Sequence, residues 1–168
     1  PYDVSYGSPL IVSRPGTIPS GKFCPHSVNS PDLVATFFAQ AGMEHPWKMH
    51  GRDFSTLLTN PESKDWEHAT LFTHMGQDFG SEVDRALRSE SVADHAGVPY
   101  FAAVVVGNTK YVRYLESSEP EELYNLLVDP EELVNLADDP VHREVLERLR
   151  AVVHQELLRS DATFIDLL

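Results

Sequence analysis

Eight histidines stand in this chain, at positions 26, 45, 50, 68, 74, 95, 142 and 154. Histidine shuttles protons near neutral pH and is the commonest metal ligand, so their spacing is the first place to look for chemistry. None forms H-E-x-x-H, which would aim two imidazoles from one helix face at zinc. A histidine-based hydrolase would instead need three of them, with carboxylates, to converge on one metal. Cys24, the single cysteine, has His26 two residues on but no CxxC partner. It can build neither a zinc site nor an internal disulfide, and reads as a small, partly buried loop side chain. G-x-S-x-G, G-x-x-x-x-G-K-S/T and G-x-G-x-x-G are all missing. His74 is differently placed. It follows a short strand, Ala69 to Thr73, and precedes Met75-Gly76 at the mouth of a long polar loop, a common place for a ligand-contacting side chain. In His45-Pro46-Trp47-Lys48-Met49-His50-Gly51-Arg52-Asp53, Trp47 and its cations could line an anionic-substrate pocket or seal the loop onto the domain.

These residues need elements to hold them. Leu10-Ile11-Val12 reads as a short strand between Pro9 and Pro15, and a lone strand needs sheet neighbours. The spacing predicts a helix over Asp32 to Ala41, capped by Ser30, with Pro31 in its first turn and Gly42 ending it. Leu33, Phe37 and Ala41, widened by Val34 and Phe38, give that helix a buried apolar stripe. A helical turn is expected near Phe54 to Leu58, and residues 75–99 read as loop. Phe101 to Val106, the turn Gly107-Asn108, and Lys110 to Leu115 read as a hairpin, with a further short strand at Leu123 to Leu126. A last helix, capped by Asp138 or Asp139, runs to about Arg159 with Val141, Val145, Leu149, Val152, Val153 and Leu157 on one side. The pattern changes near residues 59–66. The expectation is an α/β part, 1–65, then an α+β part, 66–168, with a small antiparallel sheet laid on the long helix.

Composition narrows the function. Thirteen Lys and Arg against 26 Asp and Glu give a formal charge of −13. An acidic chain without clustered basic residues does not suit nucleic acid or an anionic membrane surface. No apolar run approaches the roughly 20 residues of a membrane-spanning helix. From Tyr114 to His142 there are nine acidic residues and no Lys or Arg, but Asp129-Pro130-Glu131-Glu132 lacks the spacing and glycine of an EF-hand.

Several stretches, in order, resemble the C-terminal part of the type I sulfatases of the alkaline-phosphatase-like superfamily. Pro1-Tyr2-Asp3, Ser8-Pro9-Leu10-Ile11-Val12 and Arg14-Pro15-Gly16 are similar to a "YE/YD" segment and the strand after it. Asp32-Leu33-Val34-Ala35-Thr36 with Ala41-Gly42 is similar to "D-L-x-P-T-x(n)-A-G", with Ala35 in place of Pro. Gly51-Arg52-Asp53-Phe54-Ser55-Thr56-Leu57-Leu58 is similar to "G-x-S/D-L-x-P-L-L". Gly107 to Arg113 resembles "G-x-x-K-Y-I-R", and Glu122 to Ala137 resembles "E-L-Y-D-L-x-x-D-P-x-E-x-x-N-L-A".

The resemblance implies hydrolysis of sulfate esters by a formylglycine nucleophile and a divalent cation, usually calcium, in the complete enzyme. It also implies that the nucleophile and metal ligands lie upstream of the "YE/YD" segment, in an N-terminal half of the same protein that would be this chain's partner. Cys24-Pro25-His26-Ser27-Val28 does not match the C/S-x-P-x-R that yields formylglycine, and no catalytic residue or metal ligand can be matched. The chain is expected to supply scaffold and one wall of the substrate cleft, and to be inactive alone. By position that wall is the loop from Thr73, with His74, Gln77, Ser81 and Trp47 as candidate contacts to a sulfate-ester substrate. The alternative is a self-sufficient acidic α+β interaction domain. Burial of the Leu10 to Val12 and Asp32 to Ala41 apolar faces would favour it, and their exposure would favour a covering part elsewhere. The compartment and the alcohol side of the ester stay open.

Overall fold

A computed structural model describes residues 1–78, 81–88, 94–95, 97–115 and 119–165. They form two compact units, Ser8–Thr70 and a second made of Pro1–Gly7 with the chain from Leu71 onward.

In the Ser8–Thr70 unit the main helix is Ser30–Gln40. Numbering the helices in chain order, Asp3–Tyr6 is α1, Ser30–Gln40 is α2 and Ser55–Thr59 is α3. The cap of α2 is Asn29, not Ser30. Its side chain accepts from the Asp32 N–H while the Asp32 carboxylate accepts from the Asn29 N–H, a reciprocal box that places Pro31 in the first turn. Gly42, at φ +65°, ends the helix in the left-handed region as expected.

The fully buried positions of α2 are not those of its apolar stripe, of which Leu33 alone packs on the small core. Asp32, Ala35 and Thr36 are buried, while Phe37 is 64% exposed and Val34 stands out to solvent. The reason lies in hydrogen bonding. The second Asp32 oxygen accepts from the Arg52 N–H at 2.7 Å, and the Thr36 hydroxyl donates to the Asp32 carbonyl and accepts from the Phe54 N–H at 3.0 Å. The loop carrying Gly51 to Phe54 is thereby stitched to the polar side of the helix. Gly51 permits the approach, since a Cβ there would sit 2.0 Å from the Pro31 carbonyl oxygen. Phe54, Leu57 and Trp66 form the small core, with Cys24, Val28, Leu33 and Leu58 packed on it.

Leu10-Ile11-Val12 is not a strand. It has no ladder partner among the described residues, and Ile11 is 90% exposed. Alternation and β-branching favour extended backbone, but only a neighbouring strand satisfies it.

The second unit is the small sheet on a long helix that the pattern implied. Strand β1 is Thr70–His74, so His74 ends the strand rather than following it. Residues 75–99, read as loop, contain α4 (Ser81–Arg88) and two two-residue strands, β2 (Asp94–His95) and β3 (Val98–Pro99). Then come β4 (Phe101–Val106), β5 (Thr109–Tyr114), β6 (Glu122–Asn125), a 3-10 turn over Pro140–His142 capped by Asp139, and α5 (Arg143–Arg159). The sheet order is β1-β4-β5-β6. β4 and β5 form the expected hairpin, pairing Phe101 with Tyr114 and Val106 with Thr109 around Gly107 at φ +57°.

The side-chain period of two divides the sheet faces. On one face α5 packs against β4 and β5, burying Leu146, Leu149, Val153 and Leu157, while Val141 remains exposed. Glu121 joins the layers there. It accepts from the Tyr111 phenol at 2.7 Å and takes a two-pronged grip from Arg150 of α5.

The other face carries Phe72, Phe101, Ala103, Val112 and Tyr114, together with Lys110. Residues 1–7 lie across it. Tyr6 packs on Phe72 and Phe101 with ring centroids 5.4 and 5.7 Å apart, and Tyr2 meets Tyr124 edge-on. At the centre Lys110, fully buried, pairs with Asp3 at 2.8 Å and Glu132 at 2.5 Å, and lies over the Phe72 ring. The Asp3 N–H donates to the second Glu132 oxygen. Glu132 has φ +56°, a left-handed conformation that costs a residue with a Cβ roughly 1–2 kcal/mol, and the Lys110 pairing holds it there.

Candidate functional site

The end of β1 borders a concavity of the sheet unit. The His74 imidazole stacks on the buried Phe101 ring (centroids 5.6 Å apart, 19° between planes) and meets Tyr100 edge-on. The chain then turns, with the Asp78 N–H donating to the Met75 carbonyl at 3.0 Å and Gly76 at φ +56°, where a side chain would be strained. The Tyr100 phenol donates to an Asp78 carboxylate oxygen at 2.8 Å, tying this turn to the start of β4. Buried Val83 of α4 forms part of the floor.

The opposite wall is the segment after α5. The Ala162 N–H donates to the Leu157 carbonyl and the Asp161 N–H to the Leu158 carbonyl, so the helix ends with Asp161 in the left-handed position, φ +57°. That ending sends Asp161 to Phe164 along the cavity. The open cavity measures about 370 Å³ and is lined chiefly by His74, Asp78, Val83, Asp161, Thr163 and Phe164. Among the described residues the lining presents an imidazole, two carboxylates and two threonines, and no Lys or Arg. Such groups can orient hydroxyls and accept protons.

Of the four candidate contacts, His74 lines this cavity. Gln77, in the same turn, is exposed and outside the lining. Ser81 opens α4, and its side chain lies outside the described residues. Trp47 belongs to the Ser8–Thr70 unit, where its indole meets Phe38 edge-on at 6.2 Å yet is 63% exposed. Asp78, Asp161, Thr163 and Phe164 escaped the sequence reading. The one available signal was Asp161 just past the end of α5, where a glycine would ordinarily stand.

Cys24 packs beside the Phe54, Leu57 and Trp66 core, and among the described residues no group of three or more His, Cys, Asp or Glu could hold a metal.

Comparison with known proteins places the chain. Residues 1–159 match the model of the family described as N-sulphoglucosamine sulphohydrolase, C-terminal. No curated protein matches significantly. Solved structures share the fold. BT4656, determined in complex with its substrate D-glucosamine-2-N,6-O-disulfate, is 19% identical with a TM-score of 0.61, over 80% of this chain and 25% of that one. BT1596, a 2-O GAG sulfatase, is 24% identical with a TM-score of 0.60, over 82% and 26%. The phosphonate monoester hydrolase of Agrobacterium radiobacter is 23% identical with a TM-score of 0.51, over 75% and 25%. The chain thus spans about a quarter of the length of each of these structures. By the match over residues 1–159, it belongs to the N-sulphoglucosamine sulphohydrolase C-terminal family, the C-terminal domain of sulfatases.

Proposed function

We propose that this chain is the C-terminal portion of an enzyme hydrolysing sulfate esters. The preceding part of the same protein supplies the nucleophile and the cation, and residues 1–65, apart from the 1–7 segment lying on the sheet, complete its large domain. The sheet subdomain, 66–168, supplies scaffold and one wall of the substrate cleft. The observation that carries this reading is the family match over residues 1–159. The exposed side chains of Ile11, Phe23, Phe37 and Met43 support it too, being apolar surface that an N-terminal part would cover. A self-sufficient interaction domain would bury that surface within itself.

Chemistry at the sulfur belongs to the missing part, where a cation and a formylglycine hydrate would supply the charge clamp and the attacking oxygen. This chain's residues bind and orient. His74, fixed in plane by Phe101, presents its ring to the cavity, and Asp78 is held by Tyr100. Gln77 and Ser81 of the sheet unit, and separately Trp47 of the Ser8–Thr70 unit, are further candidate substrate contacts. The test is sulfate release by the full-length protein from sulfated aryl and sugar substrates, with the protein's intact mass measured alongside. His74→Ala is expected to raise KM about tenfold while leaving the fold intact. A full-length protein of mass near 18.8 kDa that releases no sulfate would refute the reading.

A further inference from the structure

We propose that Glu122 is the docking point for a basic side chain, Lys or Arg, carried by the part of the same protein that precedes Pro1; this rests on the reading under which such a part exists.

The strand register puts Glu122 on a charged face. Glu122 stands opposite Val112 and Tyr124 opposite Lys110, so the period of two places Lys110, Val112, Tyr114, Glu122 and Tyr124 on one side of the sheet. Glu122 is 8% exposed. Its Oε1 accepts from the Tyr114 phenol at 2.9 Å. The Tyr124 phenol lies close enough to feel the carboxylate's charge, yet Oε2 is buried with no hydrogen-bond partner among the described residues.

A carboxylate taken out of water has lost the hydration of its charge and needs a partner that restores it. One phenol on one oxygen does not do so. The Lys110 ammonium is already shared between Asp3 at 2.8 Å and Glu132 at 2.5 Å. Lys110 and Arg113 are the two basic residues in the four-stranded sheet and residues 1–7, and Arg113 belongs to the opposite face. Two buried carboxylates, Glu122 and Glu132, thus meet one buried ammonium on this side, and a second cation balances them.

The position of Pro1 identifies the source. Glu122, Lys110 and Glu132 all act electrostatically on its nitrogen. Chain leading into Pro1 therefore passes this site before residues 1–7 lie down on the sheet, and a Lys or Arg there reaches Glu122 across a short loop. One charge-assisted bond to Oε2 completes the carboxylate. The preceding part then has an ionic fastening to the sheet of its own, beside the pair that holds Asp3.

The test uses the full-length protein. Amines are labelled with acetic anhydride and guanidines with phenylglyoxal, and each site is quantified by peptide mass mapping in wild type, Glu122→Gln and Glu122→Asp. One Lys or Arg ahead of Pro1 is expected to be protected in wild type and to label roughly 10-fold faster in Glu122→Gln, the loss of one charge-assisted hydrogen bond. Glu122→Asp keeps the charge and should keep most of the protection. Lys22, exposed in the Ser8–Thr70 unit, should label alike in all three. Unchanged labelling of every Lys and Arg ahead of Pro1 overturns the proposal, and so does a change confined to basic residues of Pro1 to Leu168. A wild-type Tm that falls when sodium chloride is replaced by N-methylglucamine chloride, with Glu122→Gln insensitive, would place an inorganic cation at Glu122 and overturn it too. Sulfate release is followed in parallel. Release without a protected residue overturns this proposal alone, and a protected residue without release overturns the sulfatase reading alone.

Discussion

Replacing Lys110 by Met tests the account of how residues 1–7 are held. Its ammonium is fully buried between Asp3 at 2.8 Å and Glu132 at 2.5 Å. The two carboxylates differ in their access to water. The Asp3 side chain is 44% exposed and can be rehydrated, whereas Glu132 is 1% exposed and would be left as an uncompensated buried charge. Breaking one side of a buried pair costs about 3–5 kcal/mol. For a protein of this size each kcal/mol moves Tm by roughly 2–4 °C, so Lys110→Met should lower it by about 6–20 °C. Most of that cost belongs to the stranded Glu132. The double variant Lys110→Met, Glu132→Gln should therefore recover at least about 2 kcal/mol relative to the sum of the singles, the coupling expected of groups in direct contact. Urea unfolding of the four proteins of the cycle, in the full-length chain, measures this. Additive effects, or a Lys110→Met cost below about 1 kcal/mol, would refute the argument that the ion pair fastens the segment.

Three further outcomes are expected. Gly51→Ala should destabilise by about 2–3 kcal/mol in thermal unfolding, because its Cβ would lie 2.0 Å from the Pro31 carbonyl oxygen, which is backbone and cannot swing away. The Arg150 hydrogen bonds lower the Glu121 pKa below its ordinary 4.5, so the stability they contribute is present above 4.5 and is lost as pH falls through the lower folded value. Glu121→Gln should accordingly cost about 1 kcal/mol near neutrality, the modest figure a half-exposed partner allows, and a pH series of urea midpoints should show the gap to wild type closing below 4.5. Phe37→Ala should destabilise the full-length protein by about 3–5 kcal/mol if another part of that protein covers the ring; an effect within about 0.5 kcal/mol would show the ring in solvent there as well.

What the sequence disclosed tracks the range of the forces involved. The β4–β5 hairpin was legible because Gly107-Asn108 and the β-branched run before it are local determinants of a local structure. The end of α2 was legible for the same reason, Gly42 being all that the left-handed ending requires. Periodicity located the apolar stripe of α2 but not what it faces. Asp32 and Thr36 turn the polar side inward through bonds to Arg52 and Phe54, which the helix pattern does not contain. α4 was missed because the eight-residue segment is rich in charge and, among its described side chains, only Val83 is a buried anchor. Of the candidate contacts whose side chains are described, only His74 lines the cavity. His74 follows from a strand opening into a glycine turn, whereas Asp161, Thr163 and Phe164 reach the cavity from beyond α5, a juxtaposition made by the fold alone.

The bond from Lys110 to Asp3 spans 107 positions, and that from Asp3 to Glu132 spans 129. During synthesis Tyr2, Asp3 and Tyr6 therefore leave the ribosome long before the strands they will cover exist. One flank of the sheet stays open until that early stretch swings back, and ring closure on such a scale is slow. A fragment started at Leu71 would never receive it, leaving Phe72, Phe101 and a bare ammonium facing water. Subcloning at that boundary should give aggregates, while adding residues 1–7 as a separate peptide should restore solubility.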